Sequence, residues 1–255
     1  MEVTFLGTSA GWPLPRLGCN CIICSSKSDY DKRSRPSILI NKEILVDAPI
    51  DIYSSFQKQN INPTLIKYLL ITHAHDDHIM GLYDLSRIYG KKEKITLISS
   101  RGIIESIKNK YPISLRTFKV KDITPGISFK ILGNSYIQFV PVEHGGTEAY
   151  ALKIKSPKPI VYAVEFRRII PSSKKLIGDV DLAIIDGSSK SFVGQAKGHE
   201  TIEEGVRLGK EINAKKILFT NIGHKTDTHQ NLVSFVTRLG NIKYSIAYDG
   251  LILKV

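Results

Sequence analysis

Between positions 73 and 78 the chain reads His73-Ala74-His75-Asp76-Asp77-His78, so three of its seven histidines share six residues with two carboxylates. Imidazole and carboxylate donors at this density form the ligand set of a zinc, manganese or iron site. An apolar run, Tyr68-Leu69-Leu70-Ile71, precedes them and reads as a buried strand ended by Thr72. Ile79, Leu82, Leu85 and Ile88 follow at helical spacing. The pattern predicts a strand-to-helix loop with His78 near the helix N-terminus. His73 and His75, two residues apart, can face one metal, while Asp77 and His78 can turn toward a second.

Two further segments carry chemistry. All three cysteines, Cys19, Cys21 and Cys24, lie in one C-x-C-x2-C cluster. With one histidine they supply the Cys3His set of a closed, tetrahedral structural zinc site. A disulfide framework is not expected, because three cysteines cannot all pair and a chain of 255 residues can bury a substantial core without one. Later in the chain, Thr201 and Glu204 form a T-x-x-E capping box, so a helix should begin after Thr201. Ile202, Gly205, Val206, Gly209 and Ile212 give that helix a narrow apolar face suited to close packing. His199 is left on the preceding loop. A histidine titrates near neutrality and can therefore donate a proton.

Composition narrows the setting. The 36 Lys and Arg outweigh the 24 Asp and Glu, for a net charge of +12, which favours anionic partners such as phosphate esters or nucleic acid. The basic residues are scattered (Lys91-Lys92, Arg167-Arg168, Lys174-Lys175, Lys215-Lys216) and form no RNA-binding arm. A small anionic phosphodiester is the expected partner, ahead of RNA. No long apolar segment or signal peptide is visible, and clustered reduced cysteines suit the cytoplasm. Strand-like runs fall at 2–6, 37–40, 43–47, 67–71, 95–99, 128–131, 136–141, 149–154, 159–164, 181–186, 216–220 and 251–254. Helix-like runs fall near 50–59, 78–89, 102–110, 201–213 and 229–238. The mixed order predicts an α/β (α+β) protein with helices covering sheets. The pattern is weakest over 112–127, where Pro112 and Pro125 interrupt it.

The segment His73-x-His75-x-Asp77-His78 matches the H-x-H-x-D-H motif, and the chain resembles the metallo-β-lactamase-fold hydrolases along nearly its whole length. Phe5-Leu6-Gly7-Thr8-Ser9-Ala10-Gly11 looks like the opening strand and glycine loop of the tRNase Z and phosphodiesterase branches. Asp47 in Leu45-Val46-Asp47-Ala48 matches an early aspartate that supports the ligands, and His144 in Val142-Glu143-His144-Gly145 matches the third histidine of the first metal site. Gly198-His199-Glu200-Thr201 looks like the phosphodiesterases' G-H-x-[ST] box. The cysteine loop at 18–25 resembles an insertion shared by the phosphoribosyl 1,2-cyclic phosphate phosphodiesterases (PhnP-like) and by PqqB. The resemblance implies one four-layer αββα domain over 1–255. It also implies a structural zinc on Cys19, Cys21 and Cys24, with His224 as fourth ligand and His229 as the alternative.

Two positions depart from the family pattern. Where the family has a metal-bridging aspartate in a Y-x-x-D run, this chain has Tyr162-Ala163-Val164-Glu165. Where it has L-T-H after a later strand, this chain has Phe219-Thr220-Asn221. His73, His75 and His144 would hold the first metal. Asp77, His78, Glu165 and Asn221 would hold the second, expected to be weak or selective for a harder ion such as manganese. The implied activity is hydrolysis of a cyclic or small phosphodiester by metal-hydroxide attack, with Asp77 orienting water and His199 as general acid. Zinc, manganese or iron, as one or two ions, would serve. Two other readings stay open: oxidative chemistry at one iron, as implied by the likeness to PqqB, and a metal-binding module without activity. Dimers are common among the resembling proteins, so a homodimer is a further expectation.

Overall fold

The computed structural model describes residues 1–90, 95–111, 114–191, 198–239 and 243–255. Lys91-Lys92 and part of the weakly patterned 112–127 stretch lie outside them. Among the described residues, fourteen strands form two seven-stranded sheets. The first contains β1 (Glu2–Gly7), β2 (Ser37–Ile40), β3 (Ile44–Val46), β4 (Tyr68–Leu70), β5 (Thr96–Ser100) and β6 (Lys119–Ile123), with β14 (Ile252–Lys254) flanking β1. The second runs in order β13 (Lys243–Ile246), β12 (Lys216–Thr220), β11 (Leu182–Asp186), β10 (Ile160–Ala163), β9 (Thr147–Lys155), β8 (Ser135–His144) and β7 (Ser128–Leu132). Each sheet is part parallel and part antiparallel: β3 to β6 are parallel, as are β10 to β13.

The inner strands are apolar on both faces because each sheet is covered twice. Along β11, Leu182 and Ile184 point into the core shared with the first sheet, while Ala183 and Ile185 join a second core on the outer face. The same two-residue alternation sorts Tyr162 from Val161 and Leu218 from Phe219. Helices α1 (Ile52–Lys58), α3 (Leu82–Tyr89) and α4 (Arg101–Lys110) contribute to the core of the first sheet. Helices α5 (Pro171–Ile177), α6 (Ile202–Glu211) and α7 (His229–Arg238) pack on the second. The result is a four-layer αββα sandwich.

The structure differs from the sequence reading in four places. The helix expected over 78–89 is two, α2 (Asp76–Ile79) and α3, broken at Met80-Gly81. Gly81 donates its N–H to Ala48 O at 2.8 Å, and a Cβ there would lie 2.1 Å from Pro49 O. The chain crosses the 47–49 loop at that point with no room for a side chain. Strand β6 reads Lys-Val-Lys-Asp-Ile and is mostly exposed at a sheet edge, so it has no apolar run to find. Strand β13 is likewise an edge strand. Helix α5 opens on Pro171 and buries only Ser173 and Ile177, too little for a periodic signal. Among the described residues no helix is long and apolar enough to cross a membrane.

The narrow face of α6 is a close contact. A Cβ at Gly205 would meet Phe219 Cε1 at 2.7 Å and Ile185 Cγ2 at 3.0 Å. Gly→Ala in a helix is worth about 1 kcal/mol of propensity, but overpacking a core costs about 1–3 kcal/mol. Gly205→Ala should therefore destabilise the protein by about 1 kcal/mol. Chemical denaturation would measure this, and a gain in stability would contradict the packing account.

Candidate metal centre

The site lies along one rim of the sandwich, where β3, β4, β8, β10, β11 and β12 end and their following loops begin. The two sheets meet there directly. Tyr150 N donates to Thr72 O at 3.1 Å, and His73 pairs with Ala149 as an isolated bridge. Asp47, just past β3, is fully buried at φ 59°, a left-handed conformation that side chains other than glycine rarely adopt. Its Oδ1 accepts from Thr72 N at 2.8 Å, while Oδ2 accepts from Thr72 Oγ1 at 2.8 Å and His78 Nδ1 at 2.9 Å.

These bonds fix which ring nitrogen each histidine offers. His78 spends Nδ1–H on Asp47, so Nε2 is the nitrogen it turns to the cluster. Thr72 Oγ1 has given its hydrogen to Asp47 and accepts from His73 Nδ1 at 3.0 Å. His73 Nε2 is therefore a bare acceptor, buried and with no hydrogen-bond partner. His144 donates Nδ1–H to Gly198 O at 2.8 Å. His75 Nε2 lies 3.1 Å from Thr147 Oγ1, which leaves its Nδ1 facing His144 Nε2 at 3.3 Å. His73, His75 and His144 thus turn three nitrogens to one point, with all ligand atoms within 4.8 Å of one another.

Glu165 sits at the centre of the cluster. Its Oε1 is 3.3 Å from His78 Nε2, and its Oε2 is 3.4 Å from His144 Nε2 and 3.5 Å from His199 Nε2. Burial would raise this carboxyl, but the imidazoles of His199 and His78 hold it well below the usual carboxylate range. The extra methylene of glutamate does not turn the group away: it falls between the groups His73–His78–Glu165 and His144–Glu165–His199, either of which could hold an ion. Asn221 is tied to the Glu165 carboxylate. Its Nδ2 donates to Val164 O at 2.8 Å and Glu165 Oε1 at 2.9 Å, with Asp186 Oδ2 at 3.4 Å. Three acceptors around one amide dictate that the NH2 faces them. Asn221 therefore presents hydrogens to the carboxylates, while its Oδ1 is buried without a hydrogen-bond partner. Asp77 lies at the edge, with Oδ2 3.6 Å from His78 Nε2 and the side chain a quarter exposed, outside each of these close groups.

His199, on the loop before α6, donates Nδ1–H to Asp186 Oδ2 at 2.6 Å. Burial pushes its pKa down, but the Asp186 and Glu165 carboxylates outweigh this and lift it to about 9. Asp186 is the residue that sequence reasoning missed. A visible signal existed: an acid closes the apolar run Leu182-Ala183-Ile184-Ile185 and is fully buried with it. A buried carboxylate at a strand end requires a charged or donor partner.

A second cluster is built from the cysteine loop and the loop that follows β12. The sulfurs of Cys19, Cys21 and Cys24 and a ring nitrogen of His224 lie within 4.8 Å of one another, with Cys19 Sγ 3.7 Å from His224 Nδ1. Three thiols and one imidazole fit a tetrahedral zinc site. Burial lifts the Cys24 thiol to about 11, so an ion would have to displace that proton. His229 is engaged elsewhere. Its Nδ1 meets Arg33 Nη2 at 3.2 Å and its ring stacks on Tyr30 at 4.9 Å, which removes it as the alternative ligand.

Comparison with known proteins identifies the family and the fold. The family model described as beta-lactamase superfamily domain matches residues 42–222. A Porphyromonas gingivalis protein named octanoyltransferase is 24% identical over 90% of this chain, but the chain spans only 47% of that protein's length. Among solved structures, a diphosphatase from the PhnP family superposes with a TM-score of 0.86 at 24% identity, covering 99% of this chain and 96% of that one. Zinc-bound PqqB from Methylobacterium extorquens superposes at 0.81 and 21% identity, covering 100% of both chains. At these identities the superpositions establish the fold.

Two measurements probe the ligand sets. Wild-type protein should hold two or three metals per chain, and Cys21→Ser should lose one zinc while keeping the others; unchanged zinc would exclude the cysteine site. His78 is pulled down by burial but raised well above its ordinary pKa, chiefly by Asp47. It therefore carries a proton at pH 7 that a ligating imidazole must release. Affinity at the histidine cluster should rise about tenfold per pH unit for each proton displaced. Calorimetric titration in buffers of different ionisation enthalpy would detect that proton.

Proposed function

The chain belongs to the beta-lactamase superfamily, and on that footing we propose that it is a metal-dependent hydrolase of small phosphodiesters. The observation that carries this reading is the His199–Asp186 pair, which brings a proton-bearing imidazole against the His–Glu cluster. His73, His75 and His144 would hold one ion; His78 and Glu165 are the donors left for a second. A bound divalent ion supplies Lewis-acid charge at phosphoryl oxygens and makes water a usable nucleophile near neutral pH.

The chain's own residues supply the rest. Asp186 orients His199 and favours its imidazolium form, whose Nε2–H faces the cluster and can protonate the leaving oxygen. Asp77 stands at the rim with free lone pairs and can accept a hydrogen bond from incoming water. Asp47, Thr72 and Gly198 hold three imidazoles in place before substrate arrives, so little reorganisation is needed. The basic charge of the chain favours approach of an anion. A small cyclic or diester phosphate is the substrate class this reading favours over RNA.

Asn221 supports a second reading, a one-metal centre. Its NH2 already occupies Glu165 Oε1, one of the two oxygens that a bridging carboxylate would share between ions. The metal count separates the two, and iron with no phosphodiesterase activity would favour oxidative chemistry.

Bis-p-nitrophenyl phosphate and a 1,2-cyclic ribose phosphate, assayed with added manganese, test the proposal directly; no turnover of either would refute it. His199→Ala should lower kcat by about 10^2- to 10^4-fold, the range for loss of a general acid. The pH profile adds a signed test. Activity that needs protonated His199 should decline on the alkaline side, and Asp186→Asn removes the charge that raises its pKa. The decline should then begin at lower pH. A limb that stays fixed would detach His199 from proton transfer.

A further inference from the structure

The loop from Ser9 to Arg16 presents the chain's one tryptophan to solvent at the edge of the metal centre. Trp12 is 64% exposed. A lone exposed apolar side chain is ordinary; the surroundings of this one are not. The guanidinium carbons of Arg16 and Arg35 each lie 5.9 Å from its ring centre. Its neighbour Gly11 packs so closely on Asp77 that a Cβ there would lie 2.7 Å from Oδ2. The indole is thus carried one residue from a backbone that touches the rim of the histidine cluster.

The loop is held on both sides. Arg35 donates Nε–H to Gly11 O at 3.0 Å and pairs with Asp51 at 2.9 Å, so its charge is already matched. Ala10 N donates to Ile222 O at 3.0 Å, beside Asn221. At the far end, Arg16 N donates to Cys24 Sγ at 3.3 Å, which ties that residue to the cysteine cluster. The Arg16 guanidinium has no ion pair among the described residues, and its Nε is buried without a hydrogen-bond partner. A positioned aromatic face and a guanidinium without an ion pair among the described residues, next to the metal-cluster rim, are complementary to a planar base joined to an anion.

We propose that Trp12 and Arg16 form a substrate subsite that stacks a nucleobase and binds a phosphate, so that the preferred diester carries a base. This rests on the phosphodiesterase reading but is read out separately from it. Trp12 is the only tryptophan in the sequence, so its fluorescence reports the subsite without catalysis. AMP should quench the emission saturably, and ribose 5-phosphate should not. Arg16→Ala should weaken AMP binding about tenfold.

In kinetics with the metal-loaded enzyme, Trp12→Ala should raise KM for 2′,3′-cyclic AMP about tenfold more than for 1,2-cyclic ribose phosphate, the loss expected for one base–aromatic stack. Trp12→Phe should recover most of the difference. Unaltered emission with AMP, or equal effects of Trp12→Ala on the two diesters, would overturn the subsite. Quenching by AMP with no hydrolysis of any diester would instead overturn the phosphodiesterase reading and leave the subsite standing.

Discussion

A carboxylate with no exposure to water organises the rim of this protein. Asp47 collects the Thr72 amide, the Thr72 hydroxyl and the His78 ring from one left-handed backbone position. Burying that charge unpaired would cost several kcal/mol, so each bond is strongly enforced. Through them the ends of β3 and β4 are locked together and α2 is placed against both. Two histidine rings acquire a defined orientation as a consequence, since His78 bonds Asp47 directly and His73 bonds the threonine that Asp47 orients. The candidate metal cradle is therefore a product of hydrogen bonding behind the imidazoles.

The same device recurs on the other sheet. Asp186 closes β11 as Asp47 follows β3, and it holds His199 as Asp47 holds His78. Glu165 lies between the two arrangements, close to an imidazole from each. Asn221 secures it from behind through an amide whose three neighbours are all acceptors. The substitutions that set this chain apart from its family pattern thus work as a pair: a longer carboxylate reaches the centre and a donor amide holds it there.

Much of this was legible in the chain. The apolar strands around the site, the loop carrying His73 to His78 and the capping box of α6 were all readable, because each is set by contacts a few residues long. Elements with little buried surface escaped: β6 and β13 at sheet edges and α5, where periodicity has nothing to record. The break between α2 and α3 escaped for another reason. It is imposed by the carbonyls of Ala48 and Pro49, which no local pattern around Gly81 announces.

By itself the sequence determined the donor types, their spacing and hence the class of site, since imidazole, thiolate and carboxylate chemistry belongs to the side chains wherever they lie. Only the tertiary structure decided which donors converge. It paired His224 rather than His229 with the cysteines, turned Asn221 into a donor to Glu165, and revealed Asp186 behind His199. Each of these choices joins residues tens to hundreds of positions apart. Their distances and hydrogen-bond directions are fixed by how two sheets pack, and sequence spacing carries no record of that.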